Sequence, residues 1–181
     1  MFKLITAIII LITVIVVGIS FLYFIIKSLI LPQKQAPYVG SFKRHLKIMT
    51  KLNLKKGSTM LDLGCGDGKV LRFFQKTYNL KKCIGYDINP YATIRGKILN
   101  KLKGHKNIKI YKKNFLDAKL KGYDYIYTYL RPSQLADIEN RLRKNKDKST
   151  IIISNSFEYS KHKPFKILKD KKGKEIIFLY K

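Results

Sequence analysis

From Leu4 to Ile26 the chain passes through 23 residues without a charge. No other feature narrows its folding options as much. As a helix at about 1.5 Å per residue, the run reaches about 35 Å, enough to cross a ~30 Å hydrocarbon core with some tilt. A secretory signal would have an apolar core of about 7–15 residues ending at a small-residue cleavage site. This run is longer, and it continues past Lys27 through Ser28-Leu29-Ile30-Leu31 before Pro32 stops it. A buried core helix is disfavoured, because the 150 residues that follow Leu31 are too few to enclose a helix apolar on every side. The expected organisation is a retained transmembrane anchor over 1–31, a linker and amphipathic helix over 32–57, and a soluble domain over 58–181.

The flanks orient the anchor. Lys3 alone precedes it, whereas Lys27, Lys34, Lys43, Arg44, Lys47 and Lys51 follow. Positive charge favours the inner side, so the expectation is a single-pass protein with its domain in the cytoplasm or the matrix equivalent. The same flank attracts an anionic lipid surface, at about 1 kcal/mol per basic residue near the bilayer. The whole chain holds 38 Lys+Arg against 11 Asp+Glu, a net charge of +27. Lys outnumbers Arg 32 to 6, which leaves two readings open: a compositionally biased, solvated surface or a selected basic patch. An apolar share of 46% excludes wholesale disorder. Cys65 and Cys83 have no CxxC partner, so the composition suits a reducing compartment, and no His/Cys cluster has zinc spacing.

Beyond Pro32 to Gly40, Phe42, Leu46, Met49 and Leu52 mark a helix over Ser41 to Leu52. Strands are expected at Thr59–Leu63, Cys83–Asp87, Ile108–Tyr111, Tyr123–Leu130 and Thr150–Ser154. Helices are expected from about Lys69 to Tyr78, from Pro90, and from Pro132 to about Arg143. Phe165–Lys169 and Glu175–Tyr180 flank Asp170-Lys171-Lys172-Gly173 as a hairpin. Strand–helix alternation implies an α/β fold with a parallel, doubly wound sheet, to which the hairpin adds an antiparallel edge.

The chemistry lies in Leu61-Asp62-Leu63-Gly64-Cys65-Gly66-Asp67-Gly68. Glycines at 64, 66 and 68 between strand and helix let backbone approach a ligand closely. Lys69 occupies the position where a dinucleotide fingerprint needs its third glycine, and the GK[ST] of a P-loop is absent. Asp62 and Asp67 bracket the loop; beside a pyrophosphate they would cost Coulomb energy, and beside a cation they help. S-adenosylmethionine carries a sulfonium and an ammonium but no phosphate. Its ribose needs an acid at the end of the second strand, where Asp87 stands in Ile84-Gly85-Tyr86-Asp87-Ile88-Asn89.

These residues resemble the motif pair of class I S-adenosylmethionine-dependent methyltransferases. The resemblance implies a seven-stranded Rossmann-like sheet and a cofactor site of Asp62, Gly64, Cys65, Gly66, Asp67, Gly68, Asp87 and Ile88. It adds Asn114 and Phe115, after the third strand, at the adenine segment. Many members have Asp where Asn114 stands; an Asn carbonyl still accepts from an amino group, with uncharged bonding. The fourth strand ends in Tyr127-Thr128-Tyr129-Leu130-Arg131-Pro132, not in the Asp/Asn-Pro-Pro-Tyr/Phe of amino-group methylases acting on adenine or glutamine. The anchor, Pro37-Tyr38-Val39 and Tyr129-Leu130-Arg131-Pro132 together resemble a narrower group. These are the membrane-anchored protein-lysine methyltransferases that act on the adenine nucleotide translocase and the ATP synthase c-subunit, with their prokaryotic relatives. That group often has Pro after Pro-Tyr-Val, where this chain has Gly40.

The resemblance implies a lysine acceptor in a membrane protein and direct in-line transfer without a covalent enzyme intermediate. The acceptor must first lose a proton, against a reference pKa of about 10.4, and desolvation in an aromatic pocket lowers it. Tyr38, Tyr127 and Tyr129 are the expected walls. Packing on one sheet face is an alternative role for Tyr127 and Tyr129. Three other functions stay open: an RNA methyltransferase using the basic surface for nucleic acid, a lipid or quinone-precursor methylase, and a non-catalytic membrane-bound scaffold with a degenerate cofactor fold.

Overall fold

The computed structural model describes residues 2–30 and 43–181. Contacts divide the chain into two units, Met1–Pro37 and Tyr38–Lys181. The first holds helix α1 (Phe2–Ile30). Its stretch Lys3–Phe24 is long and apolar enough to cross a membrane, and none of it is buried. With no charge between residues 4 and 26, nothing on this helix distinguishes a core face from a solvent face.

The second unit is a seven-stranded sheet with helices on both faces. Strands β1 (Thr59–Leu63), β2 (Lys82–Asp87), β3 (Ile108–Lys112), β4 (Tyr125–Thr128) and β5 (Ile151–Asn155) run parallel. β6 (Lys166–Lys169) and β7 (Glu175–Tyr180) are antiparallel, and the spatial order is β3-β2-β1-β4-β5-β7-β6. The helices are α2 (Lys43–Met49), α3 (Lys69–Tyr78), α4 (Pro90–Leu102) and α5 (Pro132–Asn145). This is the Rossmann-like methyltransferase sheet expected from the sequence. β7 enters between β5 and β6, so β6 alone forms that edge. The hairpin closes where Asp170 N donates to Lys174 O at 2.8 Å.

Alternation along the strands sorts side chains onto two cores. Met60, Tyr125, Tyr127 and Ile153 pack with Phe74 of α3 and Met49 of α2, whereas Leu61, Leu63, Ile126 and Ile152 pack with Leu135, Ile138 and Leu142 of α5. α2 is therefore part of the domain core rather than a free-standing segment: Ile48 and Met49 are buried, and the Tyr78 hydroxyl donates to Met49 O at 2.6 Å. β4 is shorter than the Tyr123–Leu130 expected. Its last partners are Leu63 on β1 and Ser154 on β5, both opposite Thr128. Past that point β1 has turned into the glycine loop, so Tyr129 and Leu130 have no ladder to join.

The chain runs outward from β1 through β2 to β3, then returns to place β4 on the other side of β1. That reversal opens a crevice at the carboxyl ends of β1 and β4, the usual ligand site of an open α/β sheet.

Candidate cofactor and acceptor site

The loop after β1 is fastened to the end of β2. Gly64 N and Cys65 N both donate to Tyr86 O, at 2.8 and 3.0 Å, and Gly66 N donates to Asp87 Oδ2 at 2.8 Å. Gly64, Gly66 and Gly68 all have positive φ, at 81°, 55° and 75°, a region in which side chains are strained. Asp87 Oδ1 accepts from Asn89 N at 2.8 Å. Each Asp87 oxygen thus accepts one backbone N–H and keeps acceptor capacity for a ligand hydroxyl. Ile88 follows at the strand end and is exposed.

Asp62 is 2% exposed, and its Oδ2 accepts no hydrogen bond from the described residues. Burial, and then the charge of Asp87, push its carboxyl well above the usual carboxylate range. An orphaned buried carboxyl beside a second acid is a costly arrangement that a cationic ligand relieves. The donor set therefore fits S-adenosylmethionine, which brings an ammonium and a sulfonium.

Asp67 departs from the expectation that both acids face the ligand's charge. Its Oδ1 accepts from Lys69 N at 3.0 Å, Arg72 lies 3.4 Å from it, and Arg95 approaches Oδ2 at 3.9 Å. Arg72 also donates to the Asp67 carbonyl at 2.6 Å and to Asn100 Oδ1 at 3.1 Å. This carboxylate is committed to holding α3 and α4 against the loop. Gly96 makes that packing possible, because a Cβ there would meet the Asp67 carbonyl oxygen at 2.5 Å. Cys65 has a packing role: its Sγ fills the space that a Cβ on Gly85 would occupy, at 2.5 Å. Burial, then the charges of Asp62 and Asp87, raise its thiol pKa well above the usual value, so it stays protonated.

Lys113 N donates to Asp87 O at 3.0 Å, which brings the following residues up to the end of β2. Asn114 is exposed, and its Oδ1 accepts from Leu116 N at 3.0 Å to cap the short 3-10 turn Phe115–Asp117. Phe115 is half-buried against the α5-side core. Asn114 thus stands near Asp87 with its amide N–H donors and one acceptor lone pair outside the cap.

Of the expected acceptor walls, Tyr38 lies outside the described residues. Tyr127 is corrected: it is 1% exposed, its ring meets Phe74 edge-on at 5.7 Å, and its hydroxyl accepts from Asn155 Nδ2 at 2.8 Å. It is a core residue because period-two alternation turns positions 125 and 127 onto the α3 face of a sheet covered on both sides. Tyr129, past the end of β4, is half-buried beside His45 of α2, with ring centroids 6.1 Å apart.

Three residues here escaped the sequence reading. His45 is buried, and the neighbouring Asn155 side chain favours its charged form. Burial, Arg44 and Lys174 lower its pKa, which keeps the ring neutral at pH 7. Asn155, fully buried at the end of β5, donates to the Tyr127 hydroxyl at 2.8 Å and accepts from Ser156 Oγ at 3.1 Å. Ser156 has φ 71°, an uncommon value away from glycine. A polar Asn-Ser pair closing an apolar strand was the one available signal. Among the described residues no cluster of metal-ligating side chains occurs.

Comparison with known proteins agrees with this geometry. The family model for the ANTKMT methyltransferase domain matches residues 62–166. A protein-lysine N-methyltransferase of Saccharolobus islandicus is 26% identical over 80% of this chain and 92% of its own. The adenine nucleotide translocase lysine N-methyltransferase of Mus musculus is 23% identical over 74% of this chain, which spans 58% of the mouse protein. In fold, an RNA methyltransferase from Salinibacter ruber in complex with S-adenosyl-L-homocysteine superposes with a TM-score of 0.71. It has 18% identity and covers 78% of this chain and 92% of that one. With the sheet order, the glycine loop and the strand-end acids already in place, the chain belongs to the ANTKMT methyltransferase domain family, and it is a class I methyltransferase whose cofactor is S-adenosylmethionine.

Proposed function

We propose that this protein is a membrane-anchored protein-lysine N-methyltransferase acting on a membrane-associated protein. The observation that carries the acceptor is the match to the Saccharolobus protein-lysine N-methyltransferase over 92% of that protein. The mouse relative, named for a lysine of the adenine nucleotide translocase, supports the same acceptor group. The exposed apolar stretch Lys3–Phe24 supports the anchor, and the basic residues after it support an inner-side domain.

S-adenosylmethionine supplies an electrophilic methyl group on a sulfonium. This chain's residues bind and position. When the cofactor is bound, Asp87 would receive the ribose hydroxyls, Asp62 would meet the ammonium, and Gly64, Gly66 and Gly68 would let the backbone lie against the ligand. Ile88, Asn114 and Phe115 would border the adenine; Cys65 and Asp67 hold the loop in shape. Tyr129 walls the acceptor, Tyr38 is assigned the same role, and the His45 ring packs beside Tyr129. A lysine entering this aromatic surface loses water and with it part of its preference for the charged form. Transfer then depends on holding the free amine at near-attack distance.

The test is to incubate the full chain with methyl-labelled S-adenosylmethionine and host membranes. Protease-sensitive label in a discrete band, with methyl-lysine on hydrolysis, is the expected result. Nuclease-sensitive label overturns the reading in favour of RNA, and solvent-extractable label in favour of a lipid or quinone precursor. Cofactor binding without any label in membranes or RNA supports a scaffold.

A further inference from the structure

Helix α4 buries Ala92, Thr93, Gly96 and Asn100 against the sheet. Its outer face is the unusual one. Tyr91, Ile94, Ile98 and Leu102 are 46%, 56%, 54% and 77% exposed. At 100° per residue these four fall within an arc of about 80°. Lys97 and Lys101 border that arc on one side and Arg95 on the other, all exposed, Arg95 keeping 67% of its side chain in solvent beside its 3.9 Å approach to Asp67. Between Asp87 and Asp117 there is no acid, while eight Lys and Arg occur. An isolated exposed leucine needs no explanation, but four large apolar side chains aligned on one helix with a cationic border do.

We propose that the outer face of α4 is an interfacial membrane-docking surface, which lies on an anionic lipid leaflet with Tyr91, Ile94, Ile98 and Leu102 among the upper acyl chains and the flanking cations at the headgroups. This deepens the membrane-anchored reading and rests on it. Charge complementarity selects the occupant: the border is wholly cationic, and the leaflet on the expected inner side is anionic. Nucleic acid would use the cations but leave the apolar arc in water. A second copy of this chain would bring the same cationic borders together. Docking would limit the tumbling of the catalytic domain and hold the crevice at a fixed height for lysines near the bilayer surface.

The chain contains no tryptophan, so single reporters are clean. Full-length Ile98→Trp and Phe165→Trp are reconstituted in vesicles of phosphatidylcholine, or of phosphatidylcholine with phosphatidylglycerol, with and without brominated acyl chains. Phe165 is exposed just before β6, at the sheet edge remote from β3. Flotation reads the anchor, and quenching reads the docking. The expected result is co-flotation of both proteins, a blue shift at 98, and bromine quenching there at least about two-fold stronger than at 165, greatest with phosphatidylglycerol. Co-flotation with position 98 unquenched overturns the docking and leaves the anchor standing. Failure to float overturns the anchor. A blue shift at 98 that follows protein density without bromine quenching assigns the face to a second copy, and one induced by added RNA assigns it to nucleic acid; either overturns the proposal. Ile94→Trp repeats the measurement should Ile98→Trp lose cofactor binding.

Discussion

The two halves of the crevice are built differently. At the ends of β1, β2 and β3, short-range devices shape the loops, although Gly66 reaches Asp87 across 21 residues: positive-φ glycines, an acid at a strand end, an Asn cap two residues before the N–H it holds. At the ends of β4 and β5, the contacts join residues remote in sequence: Tyr127 with Asn155, Tyr127 with Phe74, His45 with Tyr129. The first half binds a ligand of constant chemistry and can be written as a motif. The second, proposed to meet the methyl acceptor, takes its geometry from whatever packs behind it.

Mutations separate the halves. Asp87→Ala has the largest expected effect: loss of its charged hydrogen bonds weakens cofactor affinity by about 100-fold, read by calorimetry, while turnover at saturating cofactor falls far less. Equal losses in both would erase the distinction. Asn155→Ala strips a partner from the buried Tyr127 hydroxyl. It lowers stability by about 2 kcal/mol, seen in denaturant midpoints, and leaves cofactor affinity within about three-fold. A cofactor defect as large as that of Asp87→Ala would couple the halves.

Asp62 gives the cofactor half a pH signature. Its folded, unliganded carboxyl has a raised pKa, so between the unfolded value and the folded one the native state holds the extra proton. Stability of the free protein therefore falls as pH rises through that window. A bound cation favours the carboxylate, so cofactor binding releases a proton and tightens with pH by up to about ten-fold per unit. Calorimetry in two buffers of different ionisation enthalpy measures the release, and Asp62→Asn should abolish it. The smallest effect is the sharpest discriminator within one strand. Tyr127→Phe costs about 1 kcal/mol of stability with turnover nearly unchanged, whereas Tyr129→Ala lowers methyl transfer by about ten-fold at unchanged cofactor affinity. Equal effects on transfer would return Tyr127 to the acceptor wall.

Tyr127 and Tyr129 also show where sequence reading stops. Both fall in one aromatic stretch that reads as a single strand, with the same parity, and pattern alone assigns them one role. One is sealed by Phe74 and Asn155; the other emerges where β1 has turned away. Asp62 and Asp67 divide in the same way. They look equivalent around the glycines, yet Arg72 and Arg95 engage one and leave the other orphaned. Arg95 comes from α4, 28 residues beyond Asp67, and nothing local announces that pairing.

By itself the sequence determined the parts that depend on neighbours along the chain: an uncharged helix, the alternation of strands and helices, the glycine loop and the acid closing β2. These follow from backbone sterics, periodicity and charge, which act over a few residues. Only the tertiary structure decided which tyrosine is core, which aspartate the arginines engage, that α2 belongs to the domain, and that α4 turns an apolar, cation-bordered face outward. Burial and pairing are properties of the assembled sheet, set by which distant segment arrives at each side chain and which never does.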